Sequence, residues 1–155
     1  MKRILPFLLG LITIVLDQAT KQWALGALEG RRVSLIGDFL SLRLTFNSGA
    51  AFSLGASMTW VITLVAVVVS VGLPFLIVRS QRVPAIVLGL IWGGAVGNLI
   101  DRLFREPGFP QGHVVDMIDY NGWFIGNVAD IALVGGVVAL LVYEFFFHDS
   151  AERPE

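Results

Sequence analysis

MTWVITLVAVVVSVGLPFLIV, running from Met58 to Val78, contains no charged side chain. A bilayer core about 30 Å thick is crossed by about 20 apolar residues in a helix, so this run is long enough to span. Outward from it, residues 83–104 form a second apolar run and residues 124–147 a third, interrupted by Asp130 and Glu144. Residues 4–28 come first in chain order, apolar to Leu16 and then broken by Asp17 and Lys21. Composition agrees with four spans. Of 155 residues, 55% are hydrophobic and 15% charged, where a soluble domain carries about 25% charged residues. The mean hydropathy is +0.77. A globule of this length cannot hide so much apolar surface from water, so the solvent is lipid. The length suits a single integral-membrane domain, 1–155.

Several function classes are excluded. A net charge of −1, with no basic patch interleaved with aromatics, leaves no case for nucleic acid. Without cysteine there is no disulfide, thiolate metal site or Cys nucleophile. There is no G-x-S-x-G motif and no phosphate-binding glycine loop, since Gly93-Gly94 lies inside a span.

Lys2 and Arg3 ahead of an apolar run also suit a secretory signal. A charged helical turn and more helix follow, without a small-residue cleavage site, so no cleavable signal is expected. Orientation follows the positive charges. The short Arg79-Ser80-Gln81-Arg82 link is the clearest cytoplasmic marker, because short loops weigh most. Lys2 and Arg3 fall on the same side, while Arg31, Arg32, Arg43, Arg102 and Arg105 fall on the other. Both termini are expected in the cytoplasm.

The two outer connections are long. In the first, Leu40, Leu42, Leu44 and Phe46 alternate with Ser41, Arg43, Thr45 and Asn47, the period of a half-buried strand. Asn47-Ser48-Gly49 then offers a turn. The second, residues 104–122, carries Pro107, Gly108, Pro110 and Gly112 before His113-Val114-Val115-Asp116. It reads as a loop, with Val114-Val115 favouring order.

Charges inside a span are costly and mark function or mutual support. Asp17 and Lys21, four apart, share a helix face and suit either a packing ion pair or a polar path. Gly89, Gly93 and Gly97 form a small-residue stripe on the third span. That span ends with Asn98, Asp101 and Arg102 within one turn of one another, suiting either a polar helix end or a platform beside a site. Asp116 and Asp130 are the pair with catalytic potential. If the outer loop folds back, two neighbouring carboxylates share one proton, the ionised one drawing a proton from water and the protonated one polarising a carbonyl. The plain alternative is two solvated acids. Asp119, three residues on, rivals Asp116. His113 with Asp116, Asp119 and Asp130 is a poor zinc set, with one imidazole and otherwise oxygen, so no metal or cofactor is expected.

Taken together, the motifs resemble lipoprotein signal peptidase, the type II signal peptidase of bacteria. The matching stretches are Asp17-Gln18-Ala19-Thr20-Lys21, Asn47-Ser48-Gly49-Ala50-Ala51-Phe52, Gly93 through Arg102, Val114-Val115-Asp116 and Asn127-Val128-Ala129-Asp130. They fall in family order and cover essentially the whole chain. One departure is Gly126 directly before Asn127, where members often have Phe; Phe124 lies further back. The resemblance implies four transmembrane helices with an outer β-sheet cradle and a lid between helices 3 and 4. It implies an inner-membrane aspartic endopeptidase with its site on the extracytoplasmic side, which cuts diacylglyceryl-modified prolipoproteins just before the lipidated cysteine. Asp116 and Asp130 take the catalytic positions. Asn47, Gly49, Asn98, Asp101, Arg102 and Asn127 take substrate-contacting and site-shaping ones, with Asp17 and Lys21 as support. Membrane lipid and the inhibitor globomycin are the implied ligands besides the substrate. The competing class is a small multi-pass transporter or channel subunit using Asp17, Lys21 and Arg102 as an ion path. Such a path sets charges near mid-bilayer on several helices, whereas here the second span has none.

Overall fold

A computed structural model of the chain describes residues 4–49 and 59–148. Ala50, Ala51 and Phe52 of the second motif, Met58, the basic Lys2-Arg3 pair and the 151–155 tail lie outside these described residues. Helix α1, Ile4–Ala27, buries Pro6, Gly10, Thr13, Asp17, Lys21 and Ala24. These sit at intervals of three and four, one stripe of a helix whose other faces meet lipid. Helices α2 (Thr59–Arg79) and α3 (Arg82–Phe104) follow, and α4 covers Val128–Tyr143 before one π-helical turn at Glu144–His148. All four are long and apolar enough to cross a membrane.

Helix α3 is the hub on which α1, α2 and α4 each pack. Its glycine stripe makes this possible. A Cβ at Gly89 would run into the backbone of Pro6, and one at Gly93 would lie 2.5 Å from the Gly10 carbonyl oxygen. Without a hydrophobic drive between helices in lipid, such close backbone approach is what holds them.

Among the described residues, one antiparallel sheet lies outside the helices, in the order β1-β2-β3-β4. Strand β1 is Arg32–Ile36, β2 Leu40–Asn47, β3 Val114–Tyr120 and β4 Phe124–Gly126. The alternating segment is the strand its pattern predicts. Three features differ from the sequence reading. Arg32–Ile36 forms an additional strand, exposed throughout. The 104–122 connection is not a loop to its end, because Val114–Tyr120 pairs with β2 and β4. The fourth helix starts at Val128 rather than at 124, because Phe124, Ile125 and Gly126 are spent pairing with Tyr120, Asp119 and Ile118. Asp130 therefore lies in the first turn of α4, not about two turns in as a helix beginning at 124 would put it. The sheet docks on the outer end of α1, with Val115 and Met117 packed against Ala24 and Leu28.

Candidate active site

Strand β3 separates the two rival aspartates. Successive side chains on a strand point to opposite faces, so Asp116 and Asp119 diverge. Asp119 shares the face of Val115 and Met117. It accepts the Gly122 amide at 2.7 Å and the Ser41 hydroxyl at 3.4 Å. Arg43 lies 3.4 Å from it and Arg32 3.8 Å. Asp119 is thus engaged in holding the sheet together, while Asp116 turns toward α3 and α4.

Asn127 brings Asp130 to it. As N-cap of α4, Asn127 accepts the Asp130 amide on Oδ1 at 3.0 Å, and Asp130 Oδ2 accepts the Asn127 amide at 3.1 Å. This reciprocal cap satisfies donors that open every helix. With Oδ1 so occupied, the Asn127 amino group faces the other way and donates to Asp116 Oδ1 at 2.6 Å. One fully buried residue therefore grips both carboxyl groups. The remaining oxygens are also held. Asn47 donates to Asp116 Oδ2 at 3.0 Å, and Asn98 donates to Asp130 Oδ1 at 2.8 Å.

Beneath the pair, Lys21 is 0% exposed and spends its three donors on Asp17 Oδ2 at 2.8 Å, Asp101 Oδ2 at 2.9 Å and Asn98 Oδ1 at 2.9 Å. Ammonium only donates. It therefore holds the Asn98 oxygen and points the Asn98 amino group at Asp130. Asp17 Oδ1 accepts the Ala129 amide of α4 at 2.9 Å, and Asp101 Oδ2 accepts the Val115 amide of β3 at 3.0 Å. Gly97 leaves room for this, since a Cβ there would lie 2.7 Å from Asp17 Oδ2. Asp17, Lys21 and Asp101 thus fix the two elements that carry the carboxylates, without facing the opening themselves.

Arg102 is 6% exposed, and its charge acts on Asp116, Asp101 and Asp130. Gly49 closes the Asx turn begun at Asn47, whose Oδ1 accepts the Gly49 amide at 2.7 Å. Its φ of +83° suits glycine, and a Cβ there would lie 3.2 Å from the Arg102 guanidinium. Asp17, Lys21, Asn47, Asn98, Asp101, Asp116, Asn127 and Asp130 thus join one hydrogen-bond network with Gly49 and Arg102 beside it, while Asp119 and His113 stand apart. His113 lines a separate outer cavity with Phe46, Phe104 and Arg105. Two members were missed. Gln18 bridges Asp17, the Gly97 carbonyl and Asp101, and Arg105 holds Asp101 Oδ1 at 2.6 Å. The i, i+4 spacing of Asp101 and Arg105 was the available signal. The ring of Phe124 stands over Gly126, in the space a side chain at 126 would take.

Burial drives the Asp116 carboxyl up to about 6. The Asn47 hydrogen bond opposes that, and the neighbouring Asp130 charge adds to it. Asp116 therefore holds its proton to a higher pH than an ordinary aspartate does.

A family model described as Signal peptidase (SPase) II matches residues 9–147. Lipoprotein signal peptidase of Rhodococcus jostii is 49% identical over 144 residues, covering 91% of this chain and 72% of that protein. Lipoprotein signal peptidase of Mycobacterium tuberculosis is 45% identical over 141 residues, covering 89% and 69%. A bacterial membrane enzyme solved by the in meso method superposes with a TM-score of 0.79 at 24% identity, over 97% of this chain and 93% of that one, a likeness of fold alone. A second such enzyme gives 0.77 at 26% identity, over 92% and 93%.

Proposed function

The chain belongs to the signal peptidase II family, and on that premise we propose that Asp116 and Asp130 are its catalytic pair. It is a multi-pass membrane protease that removes signal peptides from prolipoproteins. The observation that carries the assignment is Asn127, hydrogen-bonded to both carboxyl groups. The cut falls just before the diacylglyceryl-modified cysteine. Asn47, Gly49, Asn98, Arg102 and Asn127 shape the cleft, and Asp17, Lys21 and Asp101 support it.

Geometry divides the labour. Asp130 lies in the first turn of α4, where the helix N-terminus favours an anion, so it is the base. Asp116, with its raised carboxyl, is the acid. Asp130 takes a proton from water as the water oxygen bonds to the scissile carbonyl carbon, and Asp116 gives its proton to the carbonyl oxygen. In the resulting diol the C–N bond breaks. Asp130 passes its proton to the departing cysteine nitrogen, and a diol hydroxyl returns one to Asp116. The signal peptide leaves as an acid, the lipoprotein gains a free amine, and the pair is reset.

The test is cleavage of a purified lipid-modified prolipoprotein by the purified chain. The expected product is a free amino group on the lipidated cysteine, and no such product overturns the reading. Because free Asp116 must keep its proton, kcat/KM is expected to fall as pH rises through about 6. Asn47→Ala removes a donor that favours the anion, so this limb should move to higher pH. An unmoved limb would detach Asn47 from the pair.

We place the site on the extracytoplasmic side of the inner membrane, following the Arg79–Arg82 link. Reporter fusions at Gly112 and Ser80 should report opposite sides, and the same side from both would refute the topology. Membrane lipid and globomycin-type inhibitors are ligands on the same reading.

A further inference from the structure

Lys21 lies between two buried carboxylates, 2.8 Å from Asp17 and 2.9 Å from Asp101, so one cation serves two anions. A second cation reaches Asp101 from beyond the end of the helix. Arg105 caps α3, its amide donating to the Asp101 carbonyl at 2.9 Å and its Nε to Asp101 Oδ1 at 2.6 Å. The Arg105 side chain is 22% exposed, so the guanidinium stands at the edge of the bundle while the carboxylate it holds is fully buried. Asp101 Oδ2 in turn accepts the amide of Val115, the residue before Asp116. The charge of Arg102 acts on Asp101, Asp116 and Asp130 together. Support and catalytic pair are therefore one electrostatic unit.

Charge decides what Arg105 does. The carboxyl groups of Asp17, Asp101, Asp116 and Asp130 face the cations Lys21, Arg102 and Arg105. These four acids and three cations are neutral together when a single proton remains on the catalytic pair, the state in which one carboxyl is a base and the other an acid. Without Arg105 the same set carries one more negative charge, and beside lipid that charge is poorly screened. A second proton would then relieve it. Resting on the assignment of Asp116 and Asp130, we propose that Arg105 is a positioning residue for the reaction: acting through Asp101, it supplies the third cation and so holds the pair at one proton. The other charged groups nearby stand outside this set. Asp119, Arg32 and Arg43 lie on the opposite face of β3, and Glu106 and His113 line the outer cavity beside Arg105.

The test is the pH dependence of kcat/KM on a lipid-modified prolipoprotein. Arg105→Gln keeps a donor for Asp101 and drops the charge, whereas Arg105→Lys keeps the charge. Added negative charge favours the protonated carboxyl, so in Arg105→Gln the alkaline limb should move up by roughly half a pH unit or more. In Arg105→Lys it should stay at the parental position. An unmoved limb in Arg105→Gln, or an equal shift in both variants, overturns the proposal and leaves the peptidase reading intact, because a role in packing alone lowers activity without moving a limb. Failure of the parent to cleave overturns that reading, and this inference with it. A double variant keeps the test open even where Arg105→Gln alone does not fold. Asp101→Asn with Arg105→Gln removes one charge of each sign, so the limb should remain parental, and a limb displaced there also overturns the proposal. His113→Gln removes the imidazole of the outer cavity and should leave the limb in place. A limb that shifts or disappears in that variant belongs to the imidazole, and the assignment to Arg105 falls.

Discussion

Asp116→Asn and Asp130→Asn are each expected to abolish measurable cleavage while leaving the protein folded and able to bind substrate. Removing a proton-transfer group costs about 10²–10⁴-fold, and in the proposed mechanism each carboxyl moves a proton in both halves of the reaction. An asparagine keeps the shape and can still pair with Asn98, Asn47 or Asn127, but it cannot exchange that proton. The loss therefore falls on kcat, with KM nearly unchanged. Asp119→Asn is the control. It lies on the opposite face of β3 among Arg32, Arg43 and Ser41, so its effect on cleavage is mild. A cleavage assay on membranes with matched amounts of each variant decides. Near-parental turnover by either of the first two, or a dead Asp119→Asn, refutes the catalytic assignment.

Lys21→Met is expected to destabilise the fold by about 3–5 kcal/mol, the range for breaking a buried ion pair by removing one partner. The methionine fills most of the volume, so packing is not the cause. What remains is Asp17 and Asp101, both 0% exposed, without the cation they share, and only Asp101 keeps another in Arg105. Unfolding by denaturant in detergent micelles measures the loss. Adding Asp17→Asn to Lys21→Met should recover part of it, since the pair is coupled rather than additive. A single-variant loss under about 1 kcal/mol, or a strictly additive double variant, would reduce Lys21 to a space-filler.

Most of the spanning architecture was legible because lipid leaves few choices: an apolar run of sufficient length must be a helix. The period of two at Leu40–Phe46 marked β2 for an equally simple reason, one face being covered and one wet. Strand β1 escaped because all five of its residues are exposed, so burial imposes no pattern on them. Strand β4 escaped because three residues are too few to show alternation, and Trp123-Phe124-Ile125 reads equally well as the start of a span. That error carried Asp130 too deep into α4. The corrective signal was present in Asn127-Val128-Ala129-Asp130, the N-cap and N3 pattern of a capping box with Asp in place of Glu. Asp116 and Asp119 stayed rivals for a related cause. With the segment read as a loop there was no pleat to set them on opposite faces. The convergence of Asn47, Asn98 and Asn127 on the pair was beyond spacing alone, since they come from three elements far apart in sequence.

The bond from the Ala129 amide to Asp17 joins α1 to α4. Lys21 and Asp101 extend the same tie to the middle of the chain. Until the final segment has been threaded into the bilayer, Asp130 is not there to complete the pair, and Asp17 lacks one of the donors it is built to receive. On the proposed assignment, a copy that does not yet carry α4 lacks half of its acid–base pair.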